Sequence, residues 1–198
     1  ESIEFRNVSF AYEREYVLRN INLKIEKGKT IALVGPSGGG KSTLADLVPR
    51  FYDPTEGEVL LDGISLQDYD LESLRGLTGV VTQESILFNE TIFNNIAFGM
   101  EGANEEQVVH AAKIANAHDF IMSFPDGYDT TVGEAGAKLS SGQRQRIAVA
   151  RALIRDAKII LLDEATSSLD VRTEHEVQLA IDRLREGPTC IAIAHRLN

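Results

Sequence analysis

The stretch Gly35-Pro-Ser-Gly-Gly-Gly-Lys-Ser-Thr43 holds the residue types and spacing most able to do chemistry. It fits G-x-x-x-x-G-K-[ST], a loop that cradles phosphates. Gly35, Gly38, Gly39 and Gly40 let the backbone approach a ligand closely. Their N–H groups, with those of Pro36's neighbour Ser37, can point inward as an anion nest. Lys41 can place a positive charge on the β- and γ-phosphates, and the Ser42 hydroxyl can ligate Mg²⁺, with Thr43 following. Ser42–Val48 is expected to start a helix whose N-terminal dipole favours the same anion. Thr30–Val34 is a short apolar run that reads as the buried strand such a loop requires.

A second group of residues suits the other half of a phosphoryl-transfer site. Ile159-Ile-Leu-Leu-Asp-Glu164 is an apolar strand ending in two carboxylates. Asp163 suits a metal, directly or through water, and Glu164 could polarise water as a general base. The alternative for the pair is a solvated strand end. His195, after the apolar run Cys190–Ala194, could donate to a γ-phosphate or be an ordinary strand-end histidine. Gln83, after Gly79–Val81, could ligate a metal or orient water. In Leu139-Ser-Ser-Gly-Gln143, hydroxyls, a glycine and a glutamine sit where a helix begins. That makes a second anion-binding helix start or a plain serine N-cap.

The elements that must position these groups alternate between strand and helix. Ser2–Phe10, Asn20–Ile25 and Glu58–Leu61 read as strands, the last closed by Asp62-Gly63. Leu71–Leu74 reads as a short helix and Gly79–Val81 as a strand. Thr91–Phe98, Glu105–Ile114 and Ala117–Ser123 have helical spacing, and Asn104 with Gln107 resembles a capping box. Gly127–Lys138 is loop-like, a helix runs from Ser140 to about Arg155, and Thr173–Arg185 is helical. The expected fold is α/β with a mainly parallel sheet, an N-terminal antiparallel β subdomain and an inserted helical block. A hydrophobic fraction of 43% fits a globular domain, and a net charge of −10 argues against a nucleic-acid surface. Phosphate must therefore be held by local geometry. Cys190 is the only cysteine, so an intrachain disulfide is excluded and a reducing compartment fits. No run approaches the ~20 apolar residues of a membrane span and no signal peptide is seen, so this chain alone is expected to be soluble.

In combination these motifs resemble the nucleotide-binding domain of an ABC transporter, over nearly the whole chain. The P-loop at 35–43, Gln83, Leu139–Gln143, Ile159–Glu164, Ser168-Leu-Asp170 and His195 fall in that family's order. Thr131-Val-Gly-Glu134 is similar to the extra loop of exporters, and Arg50-Phe-Tyr-Asp-Pro54, Leu87-Phe-Asn-Glu-Thr91 and Gly142–Ala152 strengthen that likeness. Among exporters the chain is most similar to bacterial lipid-flippase and multidrug half-transporters.

The resemblance implies a P-loop NTPase core over 1–198, truncated at its C-terminus, with a helical subdomain at about 84–145 carrying the signature motif. It implies ATP and Mg²⁺ as ligands. Tyr12 would stack on the adenine, with Tyr16 as the other candidate. Gly38 to Thr43 would hold phosphates; Ser42, Gln83 and, through water, Asp163 would serve Mg²⁺. Glu164 would be the base, and Lys41, Gln83 and His195 would assist. Ser140, Ser141, Gly142 and Gln143 would contact ATP bound to a second copy, and Asp170 would align the copies. Phe88 and Glu134 would lie near a membrane domain fused before residue 1. The domain would dimerise head-to-tail around two ATP and power export of a lipid or amphipathic substrate, at the cytoplasmic face of the cell membrane. Two other readings stay open: an ATP-gated dimerisation switch with little hydrolysis, and a soluble ATPase acting on nucleic acid or ribosomes. One departure stands out, Ser141 in place of the family's usual glycine, with altered affinity but retained function expected.

Overall fold

The computed structural model describes residues 2–82, 84–164 and 169–194, at Glu164 for the backbone alone. The elements run β1 (Ser2–Tyr12), β2 (Glu15–Glu26), β3 (Thr30–Val34), α1 (Lys41–Asp46), β4 (Glu56–Leu61), β5 (Ile64–Ser65), α2 (Leu71–Gly76) and β6 (Thr78–Val81). There follow α3 (Ile92–Ala97), α4 (Glu105–Ile114), α5 (His118–Met122), α6 (Ser141–Ile154), β7 (Ile159–Glu164), α7 (Val171–Leu184) and β8 (Thr189–Ala194). They divide into two compact units. One comprises Glu1–Gly79, Lys158–Glu164 and Gly187–Asn198; the other comprises Val80–Ala157 and Ala165–Glu186.

The first unit holds an antiparallel sheet in the order β2-β1-β4-β5, and β3, β8 and β7 of a second sheet, with β8 between the other two. In the second sheet β3, β8 and β7 pair in parallel. β8 lies between two neighbours and is buried from Thr189 to Ile193, so it reads as a continuous apolar run rather than an alternating one. The imperfect alternation of β1 has a physical cause. Its register against β2 shifts between Phe5 and Val8, where Asn7 takes a φ of 50°, so Phe5, Val8 and Phe10 all remain buried across the irregularity. β2 begins at Glu15, earlier than the Asn20 expected from alternation, because Asn20 at φ 46° breaks the period between two paired halves. The core of this unit joins Ile3, Phe5, Val59, Leu44, Leu161 and Ile191.

The second unit is helical. Each of four helices opens on a short polar side chain that accepts from the backbone: Thr91 from Asn94, Asn104 from Gln107, Ser140 from Gln143 and Asp170 from Thr173. Asn104 and Ser140 form full capping boxes. The loop-like stretch 127–138 contains two 3₁₀ turns, Gly127–Asp129 and Glu134–Gly136.

A buried cation ties this unit together. Arg146 on α6 donates to Asn116 O at 2.9 Å and Gly142 O at 3.3 Å, pairs with Glu176 of α7 at 3.0 Å and lies 4.7 Å from the Phe120 ring. Burial pulls its guanidinium below the usual range, and Glu176 opposes that shift. Removing the side chain takes a donor from the Asn116 carbonyl, the inner partner from Glu176 and the packing against Phe120. Arg146→Ala is therefore expected to cost about 2 kcal/mol of stability, read as an earlier denaturant midpoint at unchanged slope.

Candidate functional site

β3 delivers the chain into the glycine-rich loop, but it is not the buried strand expected: Thr30, Ala32 and Val34 are exposed and Ile31 and Leu33 half-buried, because β3 is the end strand of its sheet, and Gly35 to Gly39 are exposed too. Gly40 is the position where glycine is required: its φ is +80°, and a Cβ there would meet Leu18 Cδ2 at 2.9 Å and the Val17 carbonyl at 3.2 Å. Lys41 Nζ donates to Gly35 O at 2.9 Å and Pro36 O at 2.7 Å, so its charge is held over the mouth of the loop by the loop itself. Gly39 N–H closes a turn onto Pro36 O at 3.1 Å. α1 spans Lys41–Asp46, shorter than the expected run to Val48, so its dipole is small and the ammonium carries most of the fixed positive charge. Ser42 is exposed; Thr43 is buried, its hydroxyl 3.3 Å from that of Tyr12.

Parallel register sets the second set of groups at the same strand ends. Val34, which precedes the loop, pairs with Ala194, and Ala194 pairs with Glu164. β7 extends through Glu164, two residues beyond the apolar run, because its pairing with β8 continues. Asp163 is half-buried. Burial first, and then the charge of Asp163, push the Asp46 carboxyl up, so α1 and the end of β7 share one electrostatic environment. Asp46 was not anticipated; its signal is the i, i+4 spacing from Ser42, which puts both on one helix face. The donors Ser42 and Asp163 are all oxygen, with no thiol or imidazole among them, which fits Mg²⁺ rather than a softer metal. The Glu164 side chain, Gln83 and His195 lie outside the described residues.

The two aromatic candidates differ. Tyr16 donates its hydroxyl to Glu56 at 2.8 Å and carries the Arg19 guanidinium 4.6 Å over its ring. Tyr12 is 41% exposed, with Phe10 and Tyr52 as edge-on neighbours. A flat ligand finds an open ring at Tyr12 and a capped one at Tyr16.

In the helical unit, Ser140 Oγ accepts from Gln143 N at 3.2 Å and Gln143 Oε1 accepts from Ser140 N at 3.0 Å. The Ser140 O–H stays available as a donor, while the Gln143 amide oxygen is committed to the cap. Ser141 is half-buried and lines a cavity of about 520 Å³ with Glu84, Ile86, Glu134, Ala135 and Arg144. A Cβ is accommodated there. Gly142 is different: a Cβ would collide with Thr173 Cγ2 on α7. The second glycine of the motif is thus fixed by helix packing, and the first is open to serine. Thr173 was not anticipated, since nothing local pairs residues so far apart. Asp170 caps α7 by accepting from Thr173 N at 3.2 Å, and that bonding holds its carboxyl below the usual range.

Comparison with known proteins bears on family and fold. Residues 18–167 match the family model for the ABC transporter. An ATP-dependent lipid A-core flippase of Syntrophus aciditrophicus is 58% identical over 198 residues, which is 100% of this chain and 33% of the flippase. ABC transporter B family member 2 of Dictyostelium discoideum is 53% identical over 200 residues, covering 100% of this chain and 14% of that protein. Among solved structures, a bacterial Atm1-family ABC exporter with ATP bound superposes with a TM-score of 0.91 at 47% identity, over 98% of this chain and 34% of the exporter. The chain thus spans a third or less of the curated relatives named here. Among the described residues no helix is long and apolar enough to cross a membrane.

The Gly142–Thr173 contact yields a direct test. Gly142→Ala should cost about 1–3 kcal/mol by overpacking, measured by thermal or denaturant unfolding, and adding Thr173→Ser should recover most of the loss by removing the offending methyl.

Proposed function

Because this chain belongs to the ABC transporter family, as an ATP-binding domain, we propose that it hydrolyses ATP to drive export of a lipid or amphipathic substrate. The carrying observation is the common register of Val34, Ala194 and Glu164, which sets the glycine-rich loop and the carboxylates at one end of the parallel strands.

The loop at 35–43 holds the triphosphate, with Lys41 exchanging its two carbonyl partners for phosphate oxygens. Tyr12 offers its open ring to the adenine. Ser42, Gln83 and, through water, Asp163 would hold Mg²⁺, which would supply charge neutralisation on the phosphates. Glu164 takes the proton of the attacking water as its oxygen bonds to the γ-phosphorus, while the β–γ bridging bond breaks and ADP departs. His195 donates to the γ-phosphate oxygens.

The signature residues act on a second copy. Ser140 donates its remaining O–H to the γ-phosphate of the partner's ATP, beside the backbone of Ser141 and Gly142, and Gln143 steadies the turn. Asp170 aligns the copies. Two copies, identical or from a related half-transporter, close head-to-tail around two ATP. The cavity lined by Ile86 and Glu134, with Phe88 following Ile86 closely in sequence, receives a membrane domain that precedes residue 1 in the full protein. The domain then works at the cytoplasmic face of the cell membrane. The flippase likeness supports a lipid cargo, which the membrane domain would select.

In the full-length transporter, Glu164→Gln should keep ATP binding and lose ~10²–10⁴-fold in turnover. Steady-state hydrolysis with a parallel nucleotide-binding assay checks this; unaltered turnover would remove Glu164 from the base role.

A further inference from the structure

The segment Arg50–Thr55, following α1, has no part in the chemistry above, yet it is built with care. Arg50 takes a φ of 55° and forks onto Asp53, Nε to Oδ1 at 2.9 Å and Nη2 to Oδ2 at 3.3 Å. Arg75 of α2 donates to the carbonyls of Pro49 at 3.1 Å and Arg50 at 3.0 Å, and lies 5.6 Å from the Phe51 ring. At the far end Thr55 N donates to Ser9 O at 2.9 Å, and Thr55 Oγ1 accepts from Ala11 N at 3.0 Å. The segment is therefore a strap from the loop helix to the end of β1. Its middle presents one ring, Tyr52, to Tyr12.

Tyr52 and Tyr12 meet with centroids 5.4 Å apart and planes at 87°; Phe10 meets Tyr12 at 4.8 Å and 89°. Neither neighbour stacks parallel to Tyr12, and together they set its plane. The Tyr12 hydroxyl, 3.3 Å from Thr43, ties the same ring to the helix that begins at Lys41. Tyr12 stands at the end of a strand, just before a turn in which Glu13 has a φ of 54°. Without lateral support its ring would be free to swing.

We propose that Tyr52 is a positioning residue for the base: through Tyr12 it fixes the ring plane on which adenine stacks, at a set distance from the phosphate loop. This rests on the reading of Tyr12 as the adenine platform. The strap makes base and phosphate recognition parts of one rigid piece.

The experiment is calorimetric titration of the full-length protein with the non-hydrolysable analogue adenylyl imidodiphosphate, and separately with inorganic triphosphate. Tyr52→Leu, which keeps bulk but removes the ring, should weaken the analogue about three- to tenfold, in the range an aromatic pair supplies, and leave triphosphate within twofold. Tyr52→Phe should restore the analogue's affinity. In a Tyr12→Ala background, Tyr52→Leu should have no further effect, because the two act in series. Equal weakening of both ligands, or additive losses in the double variant, would overturn the proposal. If Tyr12→Ala weakens the analogue and Tyr52→Leu does not, the proposal falls and the platform reading survives. If Tyr12→Ala leaves the analogue unaffected, the platform reading falls and takes the proposal with it.

Discussion

The placement of the glycine-rich loop and of the strand-end carboxylates depends on the parallel pairing of β8 with two neighbours. Parallel strands point their C-terminal ends the same way, so loops that leave them gather at one edge. Here the pairing of Val34 with Ala194, and of Ala194 with Glu164, brings distant segments of sequence to one level. A slip of one residue in either ladder would turn the carboxylates to the wrong face. β8 is protected from slipping by burial on both sides, which makes its register a property of the core.

The helical unit fixes its helix starts by local capping. Capping boxes at Asn104 and Ser140 define where α4 and α6 begin. Arg146 then holds the first turn of α6 through the Gly142 carbonyl while reaching α7 through Glu176. The start of the signature helix is thereby anchored from inside its own unit, with the charge neutralised locally rather than by solvent.

Much of this was legible in the residues alone. The loop at 35–43, the strand-end carboxylates and most helices follow from spacing and composition, since each depends on neighbours within a few positions. The alternating antiparallel strands were harder: Asn7 and Asn20 at positive φ hide periods that pairing restores. Contacts between distant residues left no trace. That Gly142 must lack a Cβ is decided by Thr173, and that Tyr16 is already capped is decided by Arg19 and Glu56. Asp46 carries a local spacing signal, but its meaning comes only from Asp163 on another strand. The carry-over from the family placed residues by motif, while geometry separated the two tyrosines and the two signature positions.

The Lys41 ammonium, gripped by the carbonyls of Gly35 and Pro36, has a consequence for competition among small anions. Two of its three N–H groups are already bonded within the loop, so an incoming anion competes with fixed carbonyls as well as with water. A monovalent anion would have to displace two well-placed dipoles and could replace them with only one diffuse charge. A polyphosphate brings several oxygens on one body and replaces both at once. An anion that cannot take both positions at once is therefore a poor competitor for this ammonium.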